Sequence, residues 1–367
     1  MGAFVDPRIE QYARLLVERS LDVQPGWQVM VISTPLCRPL VEEVVRGIAR
    51  RGAYPLVRLS FIDLEQVAFD SLWASEAPDE LLGAMAPSEA RTREELDAWM
   101  IIWGSENTHA ATLLAPERRA KLRKAYFPFN QRRMAPGFPW VGCLFPTDAF
   151  AQDAGMTLSA FEDFVYGACL LDWDAERDRM QRYADRFDAA DEVRIVGAGT
   201  DLTLSIAGRE TLVDDAHYNV PGGEFFASPV EDSAEGVIEY SEFPASYQGA
   251  SCEGVRLVFE GGRIVEASAR TNEEFLIAAL DTDEGARRLG ELGIGCNPGI
   301  DRYMKNIYFD EKMNGTVHIA LGFGFDHIGG TNESALHWDI VKDLRTSGRM
   351  HVDGRLVQEA GRWLLDG

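Results

Sequence analysis

The sequence predicts an α/β N-terminal domain followed by an α+β C-terminal domain with mostly antiparallel strands, and three observations carry that reading. The chain has 367 residues, longer than one hydrophobic core usually grows, so two domains are expected. Its first half alternates short apolar runs with amphipathic stretches, as a parallel layer covered by helices does. Its second half breaks into strand-like segments separated by glycine turns. The boundary is predicted where a long helical stretch ends at Asp188, Asp191 and Glu192, giving domains of residues 1–188 and 189–367.

The elements follow in order. Asp6-Pro7 supplies a cap and a first helical residue, and Ile9, Tyr12, Leu15, Leu16 and Arg19 follow at helical spacing. Pro25-Gly26 marks a turn before VMVIS from Val29, a buried strand. Residues 38–52 place apolar side chains at 40, 41, 44, 45 and 48, an amphipathic helix ended by Gly52. YPLVRLSF and AWMIIWG, the latter at 98–104, read as further strands. Residues 117–133 gather seven arginines and lysines, which fit either a solvated helix face or a patch steering an anionic group. A mostly helical stretch runs from about Thr157 to Phe187. Beyond it, EVRIVGAG and DLTLSIAG read as strands, and VRLVFEGGRIVEAS reads as a hairpin around Gly261-Gly262. TNEEFLIAAL and DEGARRLGELG look helical. TVHIALG and ALHWDIV are strands once more.

Composition narrows the partners. Hydrophobic residues make up 46% and charged residues 26%, the balance of a globular chain. Acidic residues outnumber basic ones by 59 to 36, for a formal net charge of -23. Such a surface repels phosphate backbones and anionic lipid, which argues against nucleic-acid and membrane partners. It aids solubility and favours cations, metal ions included. No apolar run approaches the ~20 residues that span a bilayer. The N-terminal MGAFVDPRIEQYARLL has an acid and a proline where a signal peptide needs basic and then apolar segments. Five scattered cysteines without a CxxC pair look like free thiols in a reducing compartment, hence the cytoplasm.

The chain lacks GxxxxGK[ST], GxSxG, HExxH and cysteine-based zinc spacings. Gly197-Ala198-Gly199-Thr200-Asp201 follows a strand but leads into another strand, so it reads as a turn rather than a dinucleotide fingerprint. The chemistry concentrates elsewhere. Three of six histidines fall in HIALGFGFDHIGGTNESALHWD, residues 318–339. Residues i and i+2 of a strand share a face, so His337 and Asp339 are able to approach one ion together. His318 shares a face with Ala320 on the preceding strand, and Gly329-Gly330-Thr331-Asn332 supplies a turn between the two. Two imidazoles and a carboxylate suit zinc, cobalt or iron; two buried strands carrying satisfied histidines is the plainer alternative. Two further carboxylates stand in unusual settings. Glu224 follows Pro221-Gly222-Gly223, and Glu291 lies between glycines at a predicted helix end. Each is either an exposed glutamate near a turn or a buried acid in need of a partner.

The segments YARLLVERSLDVQPGWQV, GSENTHA, GTDLTLSIAGR, NVPGGEFFASPVEDSAEGV, GARRLGELGIGCN, FDEKMNGTVHIALG and NESALHWD resemble the M29 metallopeptidases, the aminopeptidase T/AmpS/PepS group, in order and over nearly the whole chain. The resemblance implies a thermophilic metalloprotease-like two-domain fold and a homodimer. It implies a C-terminal domain that binds two divalent metal ions, zinc, cobalt or manganese, and removes N-terminal residues from small peptides. The family's metal ligands fall on Glu224, Glu291, His318, His337 and Asp339. It further implies a bridging carboxylate, Glu291 or Asp339, and a general base, Glu224 or Glu291. Where the family has a tyrosine seven residues after His318, this sequence has Phe325, which offers no hydrogen bond. His327, two positions on, is the candidate to compensate.

Two other readings share the scaffold. A ring-cleaving dioxygenase of dihydroxypyridine type would use one iron, and would be expected to carry a histidine near position 291 and apolar residues near 224 and 318. A non-catalytic metal- or peptide-binding homologue is suggested by Phe325.

Overall fold

In this computed structural model, residues 6–61, 71–109, 114–134, 137–247 and 249–364 are described. The chain divides into two compact units, one running to Leu171 with Ala216–Gly222, the other formed by Asp172–Asp215 and Gly223 onward. The division therefore precedes the helix Trp173–Asp188 instead of following it. That helix buries Met180, Tyr183, Ala184 and Phe187 in the core of the second unit, and apolar burial, not sequence continuity, decides where an element belongs.

In the first unit Asp6 caps the helix Pro7–Arg14 by accepting the Arg8 N–H, and the helix runs on as a wider π turn over Leu15–Ser20. The sheet has five strands, all parallel, in the order Tyr54–Leu59, Gln28–Ser33, Ala98–Trp103, Trp140–Leu144, Asn219–Val220. The helix Arg38–Arg50 buries Leu40, Val41, Val44 and Ile48. The edge strand Tyr54–Leu59 leaves Tyr54, Val57 and Leu59 exposed. The basic stretch lies on the helix Pro116–Met134. Several of its cations have partners: Arg118 and Lys121 pair with Asp79, Arg119 donates to the Leu114 carbonyl, and Arg132 donates to the carbonyls of Arg93 and Leu96.

The second unit holds two antiparallel sheets of five and eight strands, beside a two-stranded ribbon. The eight-stranded sheet contains the hairpin of Val255–Glu260 with Arg263–Ser268, and the pair Glu192–Gly197 with Thr200–Ser205 across the Gly197–Gly199 turn. The five-stranded sheet runs His337–Asp343, Thr316–Gly322, Leu289–Gly295, Glu224–Ala227, Leu212–Asp214. Residues 283–293 were expected to be helical. Only Glu284–Arg287 makes a short 3-10 turn, and Leu289–Gly295 is a wholly buried strand. Its glycines let neighbouring backbones and rings approach closely. All five cysteines are buried and free. No helix among the described residues is long and apolar enough to cross a membrane.

Candidate metal centre

Strand register assembles the site. The Leu289–Gly295 strand lies between two neighbours, pairing Gly293 with His318 on one side and Gly295 with Glu224 on the other. The next ladder pairs Ala320 with Asp339 and Gly322 with His337. Three adjacent ladders thus bring together residues that are 67 positions apart in sequence, from 224 to 291, and more. His337 and Asp339 share a face, as period-two geometry requires, with Nε2 3.5 Å from Oδ1.

Glu291 is the centre of the arrangement. Its Oε1 lies 3.3 Å from His318 Nε2 and its Oε2 lies 3.4 Å from His337 Nε2. Glu224 Oε2 approaches His318 Nε2 to 3.5 Å. Two overlapping sets result, Glu224/Glu291/His318 and Glu291/His337/Asp339, each with its donor atoms within 4.8 Å of one another. Both imidazoles are oriented from behind: His318 Nδ1 is 3.1 Å from the Glu311 carbonyl and His337 Nδ1 is 3.0 Å from the Phe323 carbonyl. A carbonyl only accepts, so each Nδ1 carries the proton and each Nε2 faces the carboxylates.

Glycine makes this possible at two positions. A Cβ on Gly293 would stand 1.9 Å from His318 Cε1, so the imidazole lies where a side chain would otherwise be. Gly223, at φ +111°, packs on Asn297, whose Cβ would be 2.5 Å from an added methyl. Gly293→Ala is therefore expected to displace the His318 ring. The expected cost is about 1–3 kcal/mol of stability from overpacking, with a matching loss of bound metal, read by thermal unfolding and metal analysis.

Charge follows the geometry. Burial opposes ionisation of Glu291, but hydrogen bonds from His318 and His337 overcome it and bring its pKa to about 2. Burial likewise opposes protonation of His318, yet the hydrogen bond to Glu291 and the charges of Glu224 and Glu291 raise it to about 10. His337 reaches about 10 against burial, chiefly through Asp339 and Glu291. Burial lifts Asp339 to about 6 despite the His337 charge.

The donor set suits a divalent metal on two observations. Glu224 Oε2 and Asp339 Oδ1 are buried without a hydrogen-bond partner, a costly state unless a cation satisfies them. The groups themselves, three carboxylates and two Nε2 atoms, are borderline to hard donors of the kind such ions favour.

Sequence reasoning missed several neighbours. Lys312 is fully buried beside Glu224, and Glu311 and Asp214 flank it. The charged run DEK reads as solvated; only its place inside the FDEKMNGTVHIALG match marked it. Phe325 is half-buried, with its ring 5.5 Å from that of His337, in a wall with Phe226 and Phe323. His327 is exposed, pairs with Asp326 at 3.6 Å, and belongs to neither donor set.

Such a centre on such a sheet has the make-up of a metalloenzyme, and the comparisons with known proteins agree. The chain belongs to the thermophilic metalloprotease (M29) family, whose profile matches residues 5–363. Membership makes it a metal-dependent hydrolase. It is similar to Aminopeptidase 2 of Geobacillus stearothermophilus, at 25% identity over 98% of each chain. Among solved structures it resembles AmpT from Thermus thermophilus, with a TM-score of 0.81 at 24% identity, covering 98% of this chain and 99% of that one. A 2,5-dihydroxypyridine dioxygenase from Pseudomonas putida KT2440 shares the fold at TM-score 0.64 and 14% identity, over 100% of this chain and 99% of that one. At these identities the structural likenesses speak to fold alone.

Proposed function

We propose that the protein is an aminopeptidase that removes N-terminal residues from small peptides at a centre of two divalent ions, zinc, cobalt or manganese, held by Glu224, Glu291, His318, His337 and Asp339. The observation that carries this reading is Glu291, which turns one oxygen to each imidazole and so stands as the shared carboxylate of two half-sites. Ions bound there would supply Lewis acidity for the scissile carbonyl and lower the pKa of an attacking water toward about 7. Glu224 and Asp339 each keep one oxygen without a hydrogen-bond partner. These two atoms are the ones turned to the ions that would bind there, while both oxygens of Glu291 face imidazoles. The rings of Phe323 and Phe325 border His337, and Phe226 packs on Phe325 behind them. The buried free cysteines support a reducing, cytoplasmic setting, and the family resemblance supports a homodimer.

The test is turnover of aminoacyl chromogenic substrates after loading with cobalt or zinc, abolished by a chelator. N-acetylated versions of the same substrates should stay intact. Silence under all loadings would leave a binding protein. Oxygen consumption on hydroxylated pyridines would favour the dioxygenase, whose expected apolar residues this chain replaces with Glu224 and His318.

Metal uptake should depend on pH. Without metal both imidazoles hold protons up to about pH 10, and an ion must displace them. Apparent affinity is therefore expected to climb as pH rises through the neutral range and to level off only near 10, with activity following it. Chelator competition across a pH series measures this; an affinity that peaked in acid would contradict the assignment.

A further inference from the structure

Lys312 is completely buried, and its ammonium lies among carboxylates: 3.0 Å from Glu224 Oε1, 3.8 Å from Asp214 Oδ2, and against Glu311. The Tyr308 ring covers it at 5.3 Å. A buried ammonium is stable only when so paired, and the pairing divides Glu224 in two. Oε1 belongs to Lys312, while Oε2 has no hydrogen-bond partner and faces His318. The pair is fixed from behind by one stretch of backbone. Cys296 donates its N–H to the Gly223 carbonyl at 2.8 Å, and the next residue, Asn297, donates its N–H to the Lys312 carbonyl at 2.9 Å. The other half-site has no such cation: among the described residues Asp339 pairs with His337, and Glu291 pairs with the two imidazoles.

We propose that Lys312 is a positioning residue. By holding Glu224 Oε1 it makes Glu224 present a single oxygen, Oε2, to the half-site shared with His318. An ion held there would be bound by one Glu224 oxygen and would keep a coordination position for water or substrate, as catalysis requires. Freed from Lys312, the carboxylate would be able to chelate with both oxygens, as carboxylates do around divalent ions, and close that position. The inference rests on the two-ion reading above.

Cobalt reports coordination directly, so the test uses full-length protein loaded with Co2+. Lys312→Met is expected to retain its cobalt stoichiometry, change its visible absorption spectrum, and lose roughly 10- to 100-fold in turnover, the usual effect of removing an outer-shell partner. Lys312→Gln, which still donates to Oε1, is expected to restore the wild-type spectrum. Lys342→Met is the control for a merely structural role. Lys342 is equally buried but pairs with Glu242 and backbone carbonyls, so its loss should lower the melting temperature and leave the spectrum alone. A Lys312→Met spectrum identical to wild type would overturn the proposal, as would the same change in Lys342→Met. A crystal structure of the cobalt-loaded wild type needs no variant to fold: one Glu224 oxygen at about 2.0–2.2 Å from the ion supports the proposal, and two oxygens overturn it. Failure of the wild type to take up cobalt would instead remove the metal reading itself, and this inference with it.

Discussion

His337→Ala is expected to lose bound metal and turnover together. The ring is 32% exposed, so the substitution opens little buried space and its effect falls on chemistry. Nδ1 is fixed on the Phe323 carbonyl and Nε2 faces Glu291 and Asp339 at 3.4 and 3.5 Å. Removing the ring leaves one half-site with two of its three donors. The fall in rate should therefore exceed the roughly 10- to 100-fold typical of losing an outer-shell partner. Metal analysis beside a kinetic assay decides the matter. A variant with full metal and a normal rate would show that the five residues are not the centre.

The second large effect is a gain. Phe325→Tyr is expected to raise turnover by roughly a hundred- to a thousandfold, about 3 to 4 kcal/mol of transition-state stabilisation, the usual worth of one donor aimed at developing charge. The ring already packs edge-on to His337, so the added hydroxyl enters beside the centre without a new backbone path. Metal content should not change, because the phenyl ring supplies no ligand. An unchanged or lower rate in a wild type that is already fast would mean another group fills the role. His327, whose ring centre is 5.8 Å from that of Phe325, is then the next residue to replace.

What the sequence disclosed follows from which patterns physics repeats. His337 and Asp339 were readable because a strand alternates and the two stand two apart. At Glu224 the tight turn of Pro221, Gly222 and Gly223 was readable, but the choice between an exposed and a buried acid was left open, and the structure buries it. Glu291 was placed on the wrong element. In ARRLGELG the leucines and charges fall at helical intervals, and a strand buried on both faces shows no alternation to counter them. The domain division was set too late because the helix Trp173–Asp188 carries as much charge as a solvated helix, and its buried stripe of Met180, Tyr183, Ala184 and Phe187 names no particular partner. Lys312 was hidden for a related reason: its burial depends on Glu224, far away in the chain, and no local pattern distinguishes a lysine inside from one outside.

The ladder that joins Glu224, Glu291, His318 and Asp339 also sets a schedule for the newborn chain. The first of these residues leaves the ribosome 115 positions before the last, from 224 to 339. At about 5–20 residues per second that interval is roughly 6–23 s. Throughout it the growing chain carries an incomplete set of these donors. The donor set is complete only once the His337 strand has joined the edge of the sheet, so the last strand to be made sets the moment at which an ion could be held.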